Sequence, residues 1–110
     1  MEDQVSPPSL AESVIVLNEK DNVCVALKDI VPGRYALVHK GTEVLLNIKQ
    51  RIAAGFKIGL TPVKRGSMIY KYGHKIGVAC RDIEPGEQVH VDNMRGLTDM
   101  RRGGSKNKCV

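Results

Sequence analysis

The sequence predicts a small all-β domain, and two observations carry that prediction. First, one nine-residue stretch occurs twice: residues 25–33 and 78–86 agree at six positions, with Lys in one copy for Arg in the other. Each copy reads as an apolar strand, an Asp-Ile step and a Pro-Gly turn. Second, apolar residues alternate over many short runs, and no apolar pattern of helical period persists. The expected architecture is a small barrel or a twisted clip of hairpins.

The individual strands follow from this alternation and from the turn residues between the runs. The predicted strands cover residues 13–17, 23–27, 34–38, 44–48, 57–60, 68–71, 76–79 and 88–91. Residues 50–54 are expected to form at most one helical turn, because the segment is too short for a helix that stands alone. A fainter third copy of the repeated stretch, residues 58–66, is expected to form a further turn.

The composition indicates one domain with a modest core. The 110 residues carry a formal net charge of +5. Residues 94–110 hold five of the 17 Lys and Arg but only one of the 12 Asp and Glu, so much of the positive excess belongs to the C-terminal end. Because the chain has only four aromatic residues on which bases could stack, nucleic acid is not an expected partner.

Three segments are expected along the chain. Residues 1–12 are polar and are predicted to form a flexible arm, residues 13–94 the folded domain, and residues 95–110 a flexible basic tail. No apolar run approaches the length of a membrane span and no signal peptide is indicated, so we expect a cytoplasmic protein.

The three cysteines show no close paired spacing, so neither a disulfide framework nor a zinc site is indicated. Cys24 and Cys80 stand in apolar runs and are expected to be small core residues. Cys109 stands in a polar segment and is expected to be an exposed thiol.

Three polar clusters are candidate sites: residues 55–57, 70–75 and 90–93. In the last, the period of two along a strand sends His90 and Asp92 to one face. That pair could orient the imidazole or bind a metal weakly, but two groups do not complete a site. Because single histidines and lysines are most often solvated surface groups, residue chemistry alone assembles no catalytic centre in this chain.

Four blocks fall in the order and spacing of a known family: residues 21–27, 55–60, 69–73 and 86–93. They resemble the N-terminal SAF-type domain, or separate small subunit, of the altronate and galactarate dehydratases. That family also includes the small subunits of sulfolactate sulfo-lyases. The resemblance covers residues 14–94 and implies a SAF-type β-clip, which agrees with the repeated turn.

By resemblance, such proteins remove water from sugar acids to give 2-keto-3-deoxy acids, usually with a divalent metal such as iron. The reaction needs a base for the proton next to the carboxylate, and a proton or metal for the leaving hydroxyl. The resemblance implies the following roles: catalysis by His90; substrate binding by Lys57, Lys71, Tyr72 and Asn93; metal binding by His90 and Asp92. At Phe56 and Asp92 this sequence departs from the family pattern, which usually has His at both positions.

Two hypotheses follow from the resemblance. The first is an accessory small subunit or N-terminal domain of a sugar-acid dehydratase, inactive alone, which completes the active site of a larger catalytic chain. Its expected partners are that large subunit and an acidic sugar substrate, and no binding to a membrane is expected. The alternative is a non-catalytic SAF module that binds a carbohydrate or a partner chain.

Overall fold

A computed structural model of the chain describes residues 7–96, and every regular element in that range is a β-strand. The strands are β1 Val14–Ile15, β2 Val23–Ala26, β3 Gly33–His39, β4 Thr42–Ile48, β5 Lys57–Gly59, β6 Met68–Lys71, β7 His74–Ala79, β8 Gln88–Val89 and β9 Met94–Gly96. The predicted all-β fold is confirmed. Between residues 7 and 96 there is no helix that could cross a membrane.

The strands form three small antiparallel sheets. One has four strands in the order β1, β2, β5, β8; a second is the hairpin of β3 and β4; the third has the order β6, β7, β9. Strand β9 was not predicted from the sequence and pairs with β7 through Met94 and Ala79. The strand predicted over residues 88–91 ends at Val89.

Two hydrophobic clusters flank the four-stranded sheet, because alternate side chains of a strand point to opposite faces. Cys24 and Ile58 belong to the larger cluster, together with buried residues of the β3–β4 hairpin. Val23 and Val89 belong to the smaller cluster, which includes Ile69 of β6. Cys24 is therefore a core residue, as predicted. The four-stranded sheet lies between the two hydrophobic clusters.

The two copies of the repeated stretch fold alike as far as the isoleucine, and they differ at the closing glycine: Gly86 has a left-handed φ of 97°, whereas Gly33 begins β3. In each copy the isoleucine exchanges two backbone hydrogen bonds with another segment, Ile30 with Ile52 and Ile83 with Val63. The helical turn considered for residues 50–54 is therefore wrong, because Ile52 is engaged in a β-bridge. The further turn predicted at the third copy, residues 58–66, is confirmed: residues 61–66 bend as residues 81–86 do, and Gly66 and Gly86 both have left-handed φ angles. It supplies Val63, the partner of the last copy.

The aspartate before each isoleucine also has the same role. Asp29 accepts the backbone N–H of Ala54 at 3.0 Å, and Asp82 accepts that of Arg65 at 2.9 Å. Each carboxylate therefore fastens its own corner to the segment that pairs with it. The sequence repeat reflects a structural repeat down to single hydrogen bonds.

Both ends of the predicted domain extend further in the structure. Ser9 forms a parallel bridge with Ala36, and Leu10 is 1% exposed within the larger cluster. The fold thus includes part of the segment expected to be an arm, and β9 continues it to Gly96. The remainder of the predicted arm and tail, including Cys109, lies outside the described residues.

Candidate functional site

Two of the predicted substrate-binding residues, Lys71 and Tyr72, are in contact, and Lys57 lies near enough for the charge of Lys71 to act on it; we call the three the lysine cluster. The Nζ atom of Lys71 lies 4.8 Å from the centroid of the Tyr72 ring, a cation–π contact. Lys57 is half-buried on β5. Burial lowers the pKa of Lys57, and the positive charge of Lys71 lowers it further. The cluster is therefore a concentration of positive charge.

No carboxylate neutralises this charge within the described part of the chain. Among residues 7–96, neither Lys57 nor Lys71 has an ion-pair partner within 4.0 Å. Two ammonium groups that repel one another without a counter-ion create a local preference for an anion.

The backbone beside the cluster is held by two residues of the turn that precedes β2. Asp21 is 3% exposed, and its carboxylate accepts the backbone N–H groups of Tyr72 and Gly73 at 2.9 and 2.8 Å. Asn22 accepts the N–H of Tyr70 at 2.9 Å. These bonds fix the β6–β7 turn, where Tyr72 has a left-handed φ of 59°. Sequence reasoning missed both supports, since an Asp-Asn pair signals only a turn.

A second group of predicted residues lies elsewhere, around a cavity of about 720 Å³ that we call the His90 cavity. Its polar lining includes Lys49, Arg81, His90, Asp92 and Asn93. The contributions of Lys49 and Arg81 were not predicted, because they follow β4 and β7, which lie far apart in the sequence. The His90 ring packs against Phe56, with centroids 5.4 Å apart and planes tilted by 50°.

Asn93 holds the loop that carries His90. Its side chain accepts the backbone N–H of His90 at 2.9 Å and donates to the carbonyl oxygen of Gln88 at 2.8 Å. The residue is 2% exposed. A contact between Asn93 and a substrate stays a proposal, and it would use the second N–H or the second oxygen lone pair of the amide.

The four-stranded sheet separates the two groups. Lys57 pairs with Val89 in the β5–β8 register, and directly opposed residues share a face. Val89 belongs to the smaller cluster, so Lys57 lies on that side. The preceding residue, Phe56, packs against the larger cluster and contacts the His90 ring. Lys57 and His90 therefore leave the sheet on opposite faces.

A metal centre needs more donors than this part of the chain brings together. Within residues 7–96, no three His, Cys, Asp or Glu side chains are grouped as metal ligands. His90 and Asp92 both line the cavity but supply two donors, fewer than the three protein ligands of a typical catalytic site. The residues present do not form a complete metal site, and a metal bound here would need donors from another chain.

Comparisons with known proteins extend these observations. A family model described as the altronate/galactarate dehydratase SAF domain matches residues 12–97. The chain is 37% identical over 91 residues to an altronate dehydratase of Bacillus subtilis (strain 168), and 39% identical over 87 residues to an altronate dehydratase of Escherichia coli (strain K12). These matches cover 82% and 78% of this chain, but 18% and 17% of the two relatives. The chain thus spans less than a fifth of their length.

Proposed function

Because this chain belongs to the family of altronate/galactarate dehydratase SAF domains, we propose that it works as one part of a sugar-acid dehydratase, a carbon–oxygen lyase. The main catalytic machinery lies in a larger chain, and this domain is inactive alone. Two facts support the division: the chain spans less than a fifth of its relatives, and residues 7–96 contain no group of three metal-ligating side chains.

The positive charge of the lysine cluster favours an acidic substrate. The charge of Lys71 lowers the pKa of Lys57. Among the described residues, neither lysine has a carboxylate as an ion-pair partner. The carboxylate of a sugar acid supplies the missing negative charge and relieves the repulsion. Tyr72, 47% exposed, presents an aromatic face and a hydroxyl to the polyhydroxy chain.

The roles proposed for His90 and Asp92 require the larger chain. The side chains of Lys57 and His90 leave the sheet on opposite faces, so His90 is not counted among the groups that hold the acid at the lysine cluster. His90 is therefore proposed to act in catalysis, and with Asp92 in holding a divalent metal, only where the larger chain supplies the remaining donors at the His90 cavity.

A test of the first proposal is co-expression of the full chain with a large dehydratase chain, followed by an assay for the 2-keto-3-deoxy acid. We expect turnover to depend on this chain. Lys71→Met should raise KM for the sugar acid, whereas the matched control Lys75→Met should leave it unchanged. Equal turnover by the larger chain alone would overturn the proposal.

A non-catalytic binding module is the second candidate function. It is favoured by Phe56, which can neither ligate a metal nor transfer a proton and which packs against the ring of His90. Under this proposal the isolated full chain binds a sugar acid through the lysine cluster without metal. Isothermal titration with a sugar acid, with and without a chelator, tests it: binding that requires metal or survives Lys71→Met contradicts it.

A further inference from the structure

Besides the His90 cavity, the domain has a cavity of about 650 Å³ at the tip of the β6–β7 hairpin, which we call the hairpin-tip cavity. It is lined by Lys20, Tyr70, Gly73, His74 and Lys75. We propose that this cavity binds a phosphate monoester of a small polar molecule. The inference does not rest on the proposed function, because no residue of the lysine cluster lines this cavity.

The lining of the hairpin-tip cavity is cationic. Lys20 and Lys75 contribute two positive charges, and no Asp or Glu is among the lining residues. Within residues 7–96, neither lysine has an ion-pair partner within 4.0 Å. A phosphate monoester carries about 1.5 to 2 negative charges at pH 7. It therefore matches the formal charge of the lining more closely than the single carboxylate of a sugar acid does.

The two acids of the turn that carries Lys20 do not replace such a ligand. Glu19 precedes Lys20 in the sequence but does not line the cavity. Asp21 is buried, and its two carboxylate oxygens accept the backbone N–H groups of Tyr72 and Gly73. Neither carboxylate is therefore among the groups that a ligand in the cavity would meet.

The cavity joins two segments that are far apart in the sequence and firmly packed together. A Cβ at Gly73 would lie 2.8 Å from the side-chain nitrogen of Asn18, so the hairpin tip packs directly on that turn. Asn18 also accepts the backbone N–H of Lys20 at 2.9 Å. Lys75 is opposite Tyr70 in the β6–β7 register, and such pairs share a face. The backbone positions of both lysines are thus fixed before a ligand binds, which reduces the ordering cost of binding.

The chemistry of the lining suits a phosphate ester. Lysine ammonium groups bind phosphate oxygens as point charges. The hydroxyl of Tyr70 and the imidazole of His74 donate or accept hydrogen bonds, which suits the remaining phosphate oxygens and the hydroxyls of a small polar molecule. The volume falls in the range of roughly 300–1,000 Å³ that is typical of small-molecule sites, so the organic part has room beside the phosphate.

Titration of the full chain with glycerol 3-phosphate, followed by proton–nitrogen correlation NMR at fixed ionic strength, tests the proposal. We expect saturable shifts of the amide signals of Lys20, Gly73 and Lys75, with the signals of Lys49 and His90 at the other cavity unchanged. Glycerate, which carries one negative charge, should bind roughly tenfold more weakly or less. Binding of inorganic phosphate as tight as that of the ester would overturn the assignment of a monoester.

Substitutions locate the ligand. Lys20→Met and Lys75→Met should each weaken the binding of glycerol 3-phosphate by roughly fivefold or more, and both side chains are exposed, so the fold is retained. The matched control is Lys64→Met, which removes an exposed lysine that lines neither cavity and should leave the affinity unchanged. Lys71→Met should have a smaller effect than either cavity variant.

Three results would overturn the proposal. The first is the absence of saturable shifts in the wild-type chain. The second is a loss of affinity in Lys64→Met equal to that in the cavity variants, which would show a general response to net charge. The third is a larger loss in Lys71→Met than in Lys20→Met or Lys75→Met, which would place the phosphate at the lysine cluster.

Discussion

The carboxylate of Asp21 accepts the backbone N–H of Tyr72 across 2.9 Å, and the two residues are 51 positions apart in the sequence. The ring of Tyr72 makes the cation–π contact with the ammonium of Lys71. A buried acid thus fixes the backbone of a surface cluster. The same carboxylate also accepts the N–H of Gly73, so two donors depend on it.

Replacement of Asp21 by Ala should destabilise the fold by about 2–3 kcal/mol, because two partly buried backbone donors lose their carboxylate acceptor. Urea denaturation measures the change. The matched control is Glu43→Ala, which removes an exposed carboxylate from β4 and should change the free energy of unfolding by less than about 0.5 kcal/mol. Equal losses in the two variants would show that the hydrogen bonds of Asp21 are not the cause.

Gly86 and Gly66 offer a matched pair of substitutions. Both have left-handed φ angles, +97° and +89°. A Cβ at Gly86 would lie 2.5 Å from the carbonyl oxygen of Asn47, whereas nothing lies within 4 Å of a Cβ at Gly66. Gly66→Ala should therefore cost about 1–2 kcal/mol for its backbone conformation alone.

Gly86→Ala should cost clearly more than Gly66→Ala, because the backbone of β4 cannot move aside as a flexible side chain would. Thermal and denaturant unfolding of both variants gives the difference. Similar costs would mean that the contact between the corner and β4 is looser than the structure shows.

Asn93→Ala should loosen the loop that carries His90. The substitution removes the acceptor for the His90 N–H and the donor to Gln88, and we expect a loss of about 1–3 kcal/mol. The ring signals of His90 in NMR spectra should move as its contact with Phe56 changes. Gln50→Ala, which removes another amide that lines the cavity, is the control. Unchanged ring signals in Asn93→Ala would contradict the positioning role.

Asp29 predicts a pH dependence. The backbone N–H of Ala54 lowers the pKa of Asp29 below its ordinary 3.8, and Arg51 lowers it further. A lowered pKa in the folded state means that this carboxylate contributes stability above about pH 3.8 and loses it as the pH falls through its folded pKa. Thermal melts of wild type and Asp29→Asn should therefore differ at neutral pH and converge in acid. A difference that persists at the acid end would rule out the ionised carboxylate as the source.

The sequence predicted the fold well where local patterns decide structure. Strand β6 lies within the predicted bounds, and the repeated Asp-Ile-Pro-Gly pattern became two corners with equivalent hydrogen bonds. Strand β9 could not be predicted, since Met94 and Arg95 become a strand only because β7 offers them a free edge. Ile52 likewise joins a bridge rather than a helical turn because Ile30 lies beside it.

For the candidate site, the sequence identified the residue types but not their grouping. It pointed to Lys57, Lys71, Tyr72 and His90 as members of one substrate site, and the structure places the first three together and His90 across the sheet. The sequence shows that the adjacent residues Phe56 and Lys57 point to opposite faces of a strand. Which other residues lie on each face depends on the pairing register of β5 and β8.

The sequence by itself determined the all-β class, the duplicated corner and the membership of the family, because each depends on residue types at fixed local spacing. Only the tertiary structure decided that Asp21 supports Tyr72, that Asn93 closes its own loop, and that Lys71 lies near enough to act on Lys57 while neither has an ion-pair partner among residues 7–96. These relationships join segments that lie far apart or on different strands. They arise from strand pairing and burial, which depend on the whole core and not on any single stretch.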